Sequence, residues 1–502
     1  MKRIKSKIDK YFNITKREST IKTEIYAGIT TFISMAYILV VNPSNILANG
    51  TNDPRFSSVF IATALGSFIG TLLMTFFAKM PLAQAPGMGI NAMIGAIIGG
   101  AFGYSFTYGN AMAIVFISGL LFLILSFIPY QIDKKNNKII SLREKIFEGI
   151  PQAIINSIAV GVGLFIAFIG LQNAHIITNN EYTLVELVNF NNPSCWALGG
   201  EACMAIVALI GLITIGILSH YKVRGAIVWG ILISTLIAIP LGVADLSILA
   251  GHNTGITWNT GKTIIDYFKL SNENSVFASI LKGGFIFPKE SIMTAIMLIV
   301  SLFLIDMFDT MGTIIGCSKN AGLIDEQGKP VNFGEMMYAD SASSIAGAFL
   351  GTSTVSTFVE SSTGISAGGR TGLTSLTTAI LFLLSIFLLP LFAFIPSPAA
   401  ASALIYVGVI MMSNIKNVDF KHIKNAIPSF ITIIIMLLSY SITDGIGIGI
   451  ITYVLIDLII YLIDKIRYKT GKSKRIPKTD VTIITIIIVI MFLIYFLMPT
   501  IS

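Results

Sequence analysis

The chain has 502 residues, of which 54% are hydrophobic and only 12% charged, and its mean hydropathy is +0.80. A soluble domain carries about twice that charged fraction, which excludes a soluble globular protein and points to a polytopic membrane protein. The net charge of +8 requires no nucleic acid, because Lys and Arg gather in short stretches between apolar runs, the pattern of the positive-inside rule.

The first twenty residues, MKRIKSKIDKYFNITKREST, are basic and lack the apolar core and cleavage site of a signal peptide, so the first apolar run is expected to act as the insertion signal. A helix needs ~20 mostly apolar residues to cross a bilayer. That length cuts the chain into segments at 24–41, 57–78, 83–100, 110–130, 150–171, 203–219, 225–241, 291–317, 335–350, 352–368, 372–395, 399–413, 427–441 and 444–464, with a further apolar stretch at 481–499. The expected fold is all-α with about fourteen transmembrane segments. The last stretch is either an extra C-terminal span or a sign that an earlier segment does not fully cross. With the N-terminus cytoplasmic, alternation puts the basic stretches 133–145, 220–224, 319–329, Arg370, 416–424 and 464–475 inside, and 172–202 and 242–290 outside.

Three cysteines make no disulfide framework, although Cys195 and Cys203 are close enough in sequence for a local bond. His175, His220, His252 and His422 are scattered and show no metal-ligand spacing. Three pairs of stretches repeat in the same order. ATALGSFIGTLL (62–73) is similar to ADSASSIAGAFL (339–350), and each precedes a polar, glycine-bearing stretch, AQAPGMGINA (83–92) or FVESSTGISA (358–367). The stretch 149–171 pairs with 394–412, and 217–234 with 437–454. Seven spans separate the members of each pair, so they cross in opposite senses and form a seven-plus-seven inverted repeat.

Pro86, Gly87 and Gly89 interrupt one of the polar stretches, and Ser353, Thr354, Ser356, Thr357, Ser361, Ser362 and Thr363 crowd the other. Non-helical backbone at membrane depth needs protein or a water-filled cavity to satisfy it. Interrupted segments at matching positions of two halves mark a midplane binding site. Two discontinuous segments are expected, each with a short extended stretch leading into a helix whose N-terminus offers free N–H groups. Acids inside such apolar runs are expensive and mark substrate or ion sites, which singles out Asp306 and Asp309 in LFLIDMFDTMGTIIG (302–316) and Glu360.

QAPGMGINA (84–92), FDTMGT (308–313), TSTVSTFVESSTGISAGGRTG (352–372) and YAGITTFISMAYILVVNPS (26–44) resemble the AzgA-like guanine/hypoxanthine and adenine permeases of the nucleobase–cation symporter 2, or nucleobase–ascorbate transporter, superfamily. The likeness covers nearly the whole chain. It implies a core domain (24–130 and 291–395) and a gate domain (149–241 and 396–464), with a cytoplasmic basic N-terminus (1–23). An extracellular loop (242–290) and a basic loop with the C-terminal hydrophobic segment (465–502) complete the chain. Members often pair as homodimers, in the cell membrane. Purine nucleobase and a co-transported proton are the implied partners, in a lipid bilayer, with no cofactor, metal or nucleic acid.

The resemblance assigns substrate contacts to Asp309, Glu360 and Asn91, with Ser361 and Asp306 beside them, and proton coupling to Glu360 and Asp309. Guanine carries adjacent N–H groups on one edge that one carboxylate can accept together, and an amide suits the mixed edge of a purine. Asp306 is either a proton carrier or a supporting residue, and Asn91 either touches substrate or caps a helix. Thr310 is expected to support Asp309, and Arg370 to anchor the cytoplasmic end. Phe303 and Phe308 either stack on a base or pack. No Walker sequence, nucleophile elbow or Cys/His cluster is present in the sequence, so no enzymatic activity is expected. The alternatives are an adenine permease of the same family and an anion transporter or channel of the same inverted-repeat architecture.

Overall fold

In the computed structural model the described residues are 2–47, 50, 53–100, 106–133, 138–141, 151–180, 183–223, 225–249, 256, 258–324, 330–470 and 478–497. Parts of the expected basic stretches 133–145, 319–329 and 464–475 and of the loop 242–290 lie outside them, as do Arg224, His252 and the side chain of Phe308.

The first half of the chain forms α1 (Lys2–Phe12), α2 (Ile21–Met35), α3 (Ile38–Ile46), α4 (Phe56–Leu73), strand β1 (Gln84–Pro86), α5 (Met88–Ile98) and α6 (Tyr108–Phe127). A hairpin of β2 (Pro129–Asp133) and β3 (Lys138–Ser141) leads to α7 (Gln152–Asn173), and a second one of β4 (Ile177–Asn180) and β5 (Leu184–Leu187) leads to α8 (Glu201–His220), α9 (Ala226–Ala238) and α10 (Thr260–Phe268). The second half forms α11 (Ile292–Asn320), α12 (Phe333–Leu350), β6 (Val355–Thr357), α13 (Ser361–Ser366), α14 (Gly372–Ser385) and α15 (Leu389–Ala393). It ends with α16 (Ser397–Met412), α17 (Ile423–Leu438), α18 (Ile442–Lys469) and α19 (Ile483–Leu497). Among the described residues nine helical stretches are long and apolar enough to cross a membrane, and four shorter apolar helices accompany them. The protein is a polytopic, mostly helical membrane protein, as its hydropathy requires.

Two compact units divide the chain. One comprises Met1–Leu120, Ile166–Ile286 and Asp309–Val407, the other Leu121–Phe165, Phe287–Phe308 and Gly408–Ser502.

In the first unit, polar side chains and glycines set where helices begin and end. Thr20 accepts the Thr23 N–H at 3.2 Å and starts α2. Gly351, at φ +89°, ends α12; a Cβ there would stand 2.2 Å from the Val276 carbonyl oxygen, so only glycine fits. The fully buried Glu24 on α2 accepts the N–H groups of Arg370 (3.0 Å) and Thr371 (3.1 Å) and the Thr374 hydroxyl (2.6 Å). It thus places a carboxylate at the positive end of α14, which compensates its burial.

The expected interruptions are present in this unit. β1 and β6 pair antiparallel, Gln84 with Thr357, Ala85 with Ser356 and Pro86 with Val355. Flanking bonds from Gly87 N–H to Thr354 O and from Phe358 N–H to Ala83 O, both 3.0 Å, extend the ribbon. Extended backbone in an apolar interior must find partners, and each interrupted segment supplies them to the other.

In the second unit, α17 and α18 approach through glycines: a Cβ on Gly449 would lie 1.8 Å from Thr432 Oγ1. Val160, Val418 and Ile433 form part of the core there. Asp457, 1% exposed on α18, forms an ion pair with Lys424 Nζ, which also reaches Asp480 at 2.7 Å. Further along, Phe492 of α19 is fully buried against Gly447. The fifteenth apolar stretch is therefore a packed helix running antiparallel beside α18. Cys195, Cys203 and Cys317 are free thiols, so the local Cys195–Cys203 bond that the spacing allows is not made.

Candidate functional site

The strand ribbon sets the site in the first unit. β1 passes through Gly87 into α5, which carries Asn91; β6 passes through Phe358 to Glu360 and then α13, whose first residue is Ser361. α11 contributes Asp309.

Asp309 is the eighteenth residue of the 29-residue α11, yet its side chain is exposed. A Cβ built on Gly312 or Gly316 would meet nothing within 4 Å. Positions 309, 312 and 316 share one face of the helix, so a carboxylate and two glycines line open space at membrane depth. Glu360 is half-buried, and both Glu360 and Asp340 stand within electrostatic reach of Asp309. No Lys or Arg occurs between Ser291 and Ser318 or between Glu335 and Gly369.

Tyr37, 2% exposed at the junction of α2 and α3, donates its hydroxyl to Glu360 Oε1 at 2.6 Å. Asp340 on α12 is fully buried; its Oδ1 accepts from Thr310 Oγ1 (3.0 Å) and Gln84 Nε2 (3.2 Å), and Gln84 Nε2 also lies 3.3 Å from Thr357 Oγ1. One buried carboxylate thereby joins α11, α12 and both strands. Neither Tyr37 nor Asp340 was among the residues expected. The signal for Asp340 was present, since it is an acid inside an apolar stretch. Tyr37 lies within the motif stretch 26–44, but nothing local shows its pairing, because its partner lies 323 positions away.

The other expected residues hold the ribbon and its surroundings. Asn91 is fully buried; its Nδ2 lies 3.3 Å from Pro86 O and its Oδ1 accepts from Ser353 Oγ. Its amide thus pairs with the chain on both sides and caps no helix N–H. Ser361, also fully buried, accepts the Ala83 N–H at 3.0 Å. Thr310 supports Asp340. Arg370 donates from Nη1 to the carbonyls of Ile365 (2.6 Å) and Gly369 (2.8 Å), closing the C-terminal end of α13. Asp306 is 1% exposed and belongs to the second unit. Phe303 packs edge-on against Phe122, with centroids 4.9 Å apart.

The arrangement offers an accessible acid, a second acid held by a phenol and a hydrogen-bonded polar floor. It can accept N–H groups from a small polar ring and take up a proton. Among the described residues no group of three or more His, Cys, Asp or Glu is placed to hold a metal.

Comparison with known proteins matches residues 22–448 to a permease family. The chain is 37% identical over 444 residues to the guanine/hypoxanthine permease PbuO of Bacillus subtilis (strain 168), covering 88% of this chain and 93% of that protein. It is 34% identical over 446 residues to the adenine permease AdeP of Escherichia coli (strain K12), covering 89% of each. Among solved structures, the transmembrane domain of a cyanobacterium bicarbonate transporter, BicA, superposes with a TM-score of 0.56 at 14% identity, covering 85% of this chain and 97% of that one. That likeness is one of fold.

Proposed function

The chain belongs to that permease family, within the nucleobase–ascorbate transporters, and from this premise we propose that it is a secondary active transporter importing hypoxanthine and guanine by proton symport. The accessible carboxylate of Asp309, on an open helix face beside Glu360, carries the reading. In the outward state Asp309 and Glu360 accept the adjacent N–H groups of the base, and Asn91 re-pairs its amide to meet the mixed edge. Ser361 and Asp306 support them. Protonation at Glu360 or Asp309 offsets the burial of charge and permits the inward transition, in which the core domain (24–130, 291–395) moves against the gate domain (149–241, 396–464). The protein acts in the plasma membrane with its N-terminus cytoplasmic, and the frequent pairing of family members makes a homodimer the expected assembly.

An adenine permease is the second reading, favoured by the likeness to AdeP. Adenine sets an acceptor beside its amino donor and suits an amide or a protonated acid better than two carboxylates. An anion carrier would need cations at the interrupted segments, where this chain has acids. Uptake of labelled hypoxanthine decides, in cells lacking their own purine permeases, with guanine, adenine, xanthine and uracil as competitors and a protonophore control. Competition by guanine but not adenine, with accumulation abolished by the protonophore, supports the proposal. Competition by adenine alone moves the substrate to adenine, and competition by no base removes the purine site. Chloride or sulfate flux indifferent to Asp309→Asn would favour the anion carrier.

A further inference from the structure

The arm that precedes the first span is folded against the first unit. Ile8, Phe12 and Ile14 pack on Ile21, Leu373 and Leu376, and Asp9 closes the turn by accepting the Thr15 N–H and hydroxyl at 2.8 Å each. Arg17 reaches further in, donating from Nη1 to the carbonyls of Lys79 and Arg370, both at 2.8 Å. Lys79, at φ +52°, ends the turn that follows α4, and Arg370 precedes α14. The arm therefore straps one end of the first repeat to the stretch that leaves Glu360 in the second.

The outer side of the arm has a different chemistry. Residues 1–23 hold eight basic and two acidic side chains, so the arm is strongly cationic, and Lys7, Lys10 and Lys16 are exposed. Beside them Tyr11, Phe76 and Phe77 are 45%, 44% and 63% exposed. Tyr11 meets Phe76 at 6.4 Å, and Lys79 Nζ sits 4.4 Å over the Tyr11 ring. Aromatic rings at the end of a spanning helix settle at headgroup level, and cations on an amphipathic helix beside them are drawn to anionic headgroups.

We infer that the N-terminal arm, α1 and the turn that follows it to Arg17, is a lipid-binding strap. Lys7, Lys10 and Lys16 bind anionic phospholipid headgroups, Tyr11, Phe76 and Phe77 enter the headgroup boundary, and the bound lipid fastens Arg17 onto the ends of α4 and α13. The inference is independent of the cargo, and its test needs no transport.

The purified full-length chain in detergent is melted while phosphatidylglycerol or phosphatidylcholine is added. Phosphatidylglycerol is expected to raise the midpoint by about 3 °C and phosphatidylcholine to leave it unchanged. Lys7→Gln/Lys10→Gln/Lys16→Gln should lose at least about half of that rise with its lipid-free midpoint unmoved, since exposed substitutions are near neutral. Lys262→Gln/Lys269→Gln, exposed on and just after α10, should keep the full rise. A full rise in the triple variant, an equal rise with both lipids, or no rise with either would overturn the inference.

Discussion

The Tyr37 hydroxyl donates to Glu360 Oε1 across 2.6 Å, tying the α2–α3 junction to the acid that opens the second interrupted helix. The phenol fixes where Glu360 points. Hydrogen bonds to a charged group contribute about 1.5–3 kcal/mol. On the proposed function, Tyr37→Phe should therefore raise the KM for the base about tenfold or more while the protein still reaches the membrane. Uptake kinetics beside a surface-abundance control check this; an unchanged KM would remove Tyr37 from the site.

Gly364 lies one turn into α13 against α2, and a Cβ there would stand 2.0 Å from Thr31 Oγ1 and 2.8 Å from the Ala27 carbonyl oxygen. The threonine can rotate away, but the backbone carbonyl cannot. Gly364→Ala should cost about 1–3 kcal/mol through overpacking, read as a lower melting midpoint in detergent.

Lys424 compensates the buried Asp457 in the second unit. Lys424→Met leaves that carboxylate with the Thr479 hydroxyl but no cation and should destabilise by about 3 kcal/mol. Lys424→Met/Asp457→Leu removes both charges and should recover most of the loss. A double-mutant cycle on the melting midpoint measures the coupling; additive effects would show that the pair is not coupled.

Asp53 and Arg55 sit in the loop before α4, joined by Arg55 Nε and Nη2 at 2.9 and 2.7 Å. Burial pushes the Asp53 carboxyl up, but the bonds and charge of Arg55 outweigh it and hold the carboxyl below its ordinary 3.8. The folded state thus binds that proton more weakly than the unfolded chain. The stabilisation is fully present above the ordinary value and is lost as pH falls through the folded one. Below about pH 4 the wild-type midpoint should fall more steeply than that of Asp53→Asn, as melting curves between pH 3 and pH 7 would show.

The hydrophobic runs were long enough to place the nine long spanning helices among the described residues, and the Pro and Gly of 86–89 and the Ser/Thr crowding of 353–363 were sufficient to mark both interruptions. The pairing of β1 with β6 was not legible, because a three-residue strand shows no alternation and the partners are separated by 273 residues at Gln84 and Thr357. Asp309 and Asp306 look alike as intramembrane acids, but one turn of α11 leaves Asp309 exposed and Asp306 buried, a difference fixed by tertiary packing. The amide that makes Asn91 a substrate candidate in the sequence is paired with Pro86 and Ser353 by the same ribbon.

The ribbon between β1 and β6 also acts as a ruler. Side chains on a strand alternate, so losing one residue before Gln84 would turn every following position to the opposite face and break the match with Thr357, Ser356 and Val355. A length change inside either strand is therefore tolerated only with a matching change in its partner or in the turn that feeds it, so the two interrupted segments are locked to one another in register.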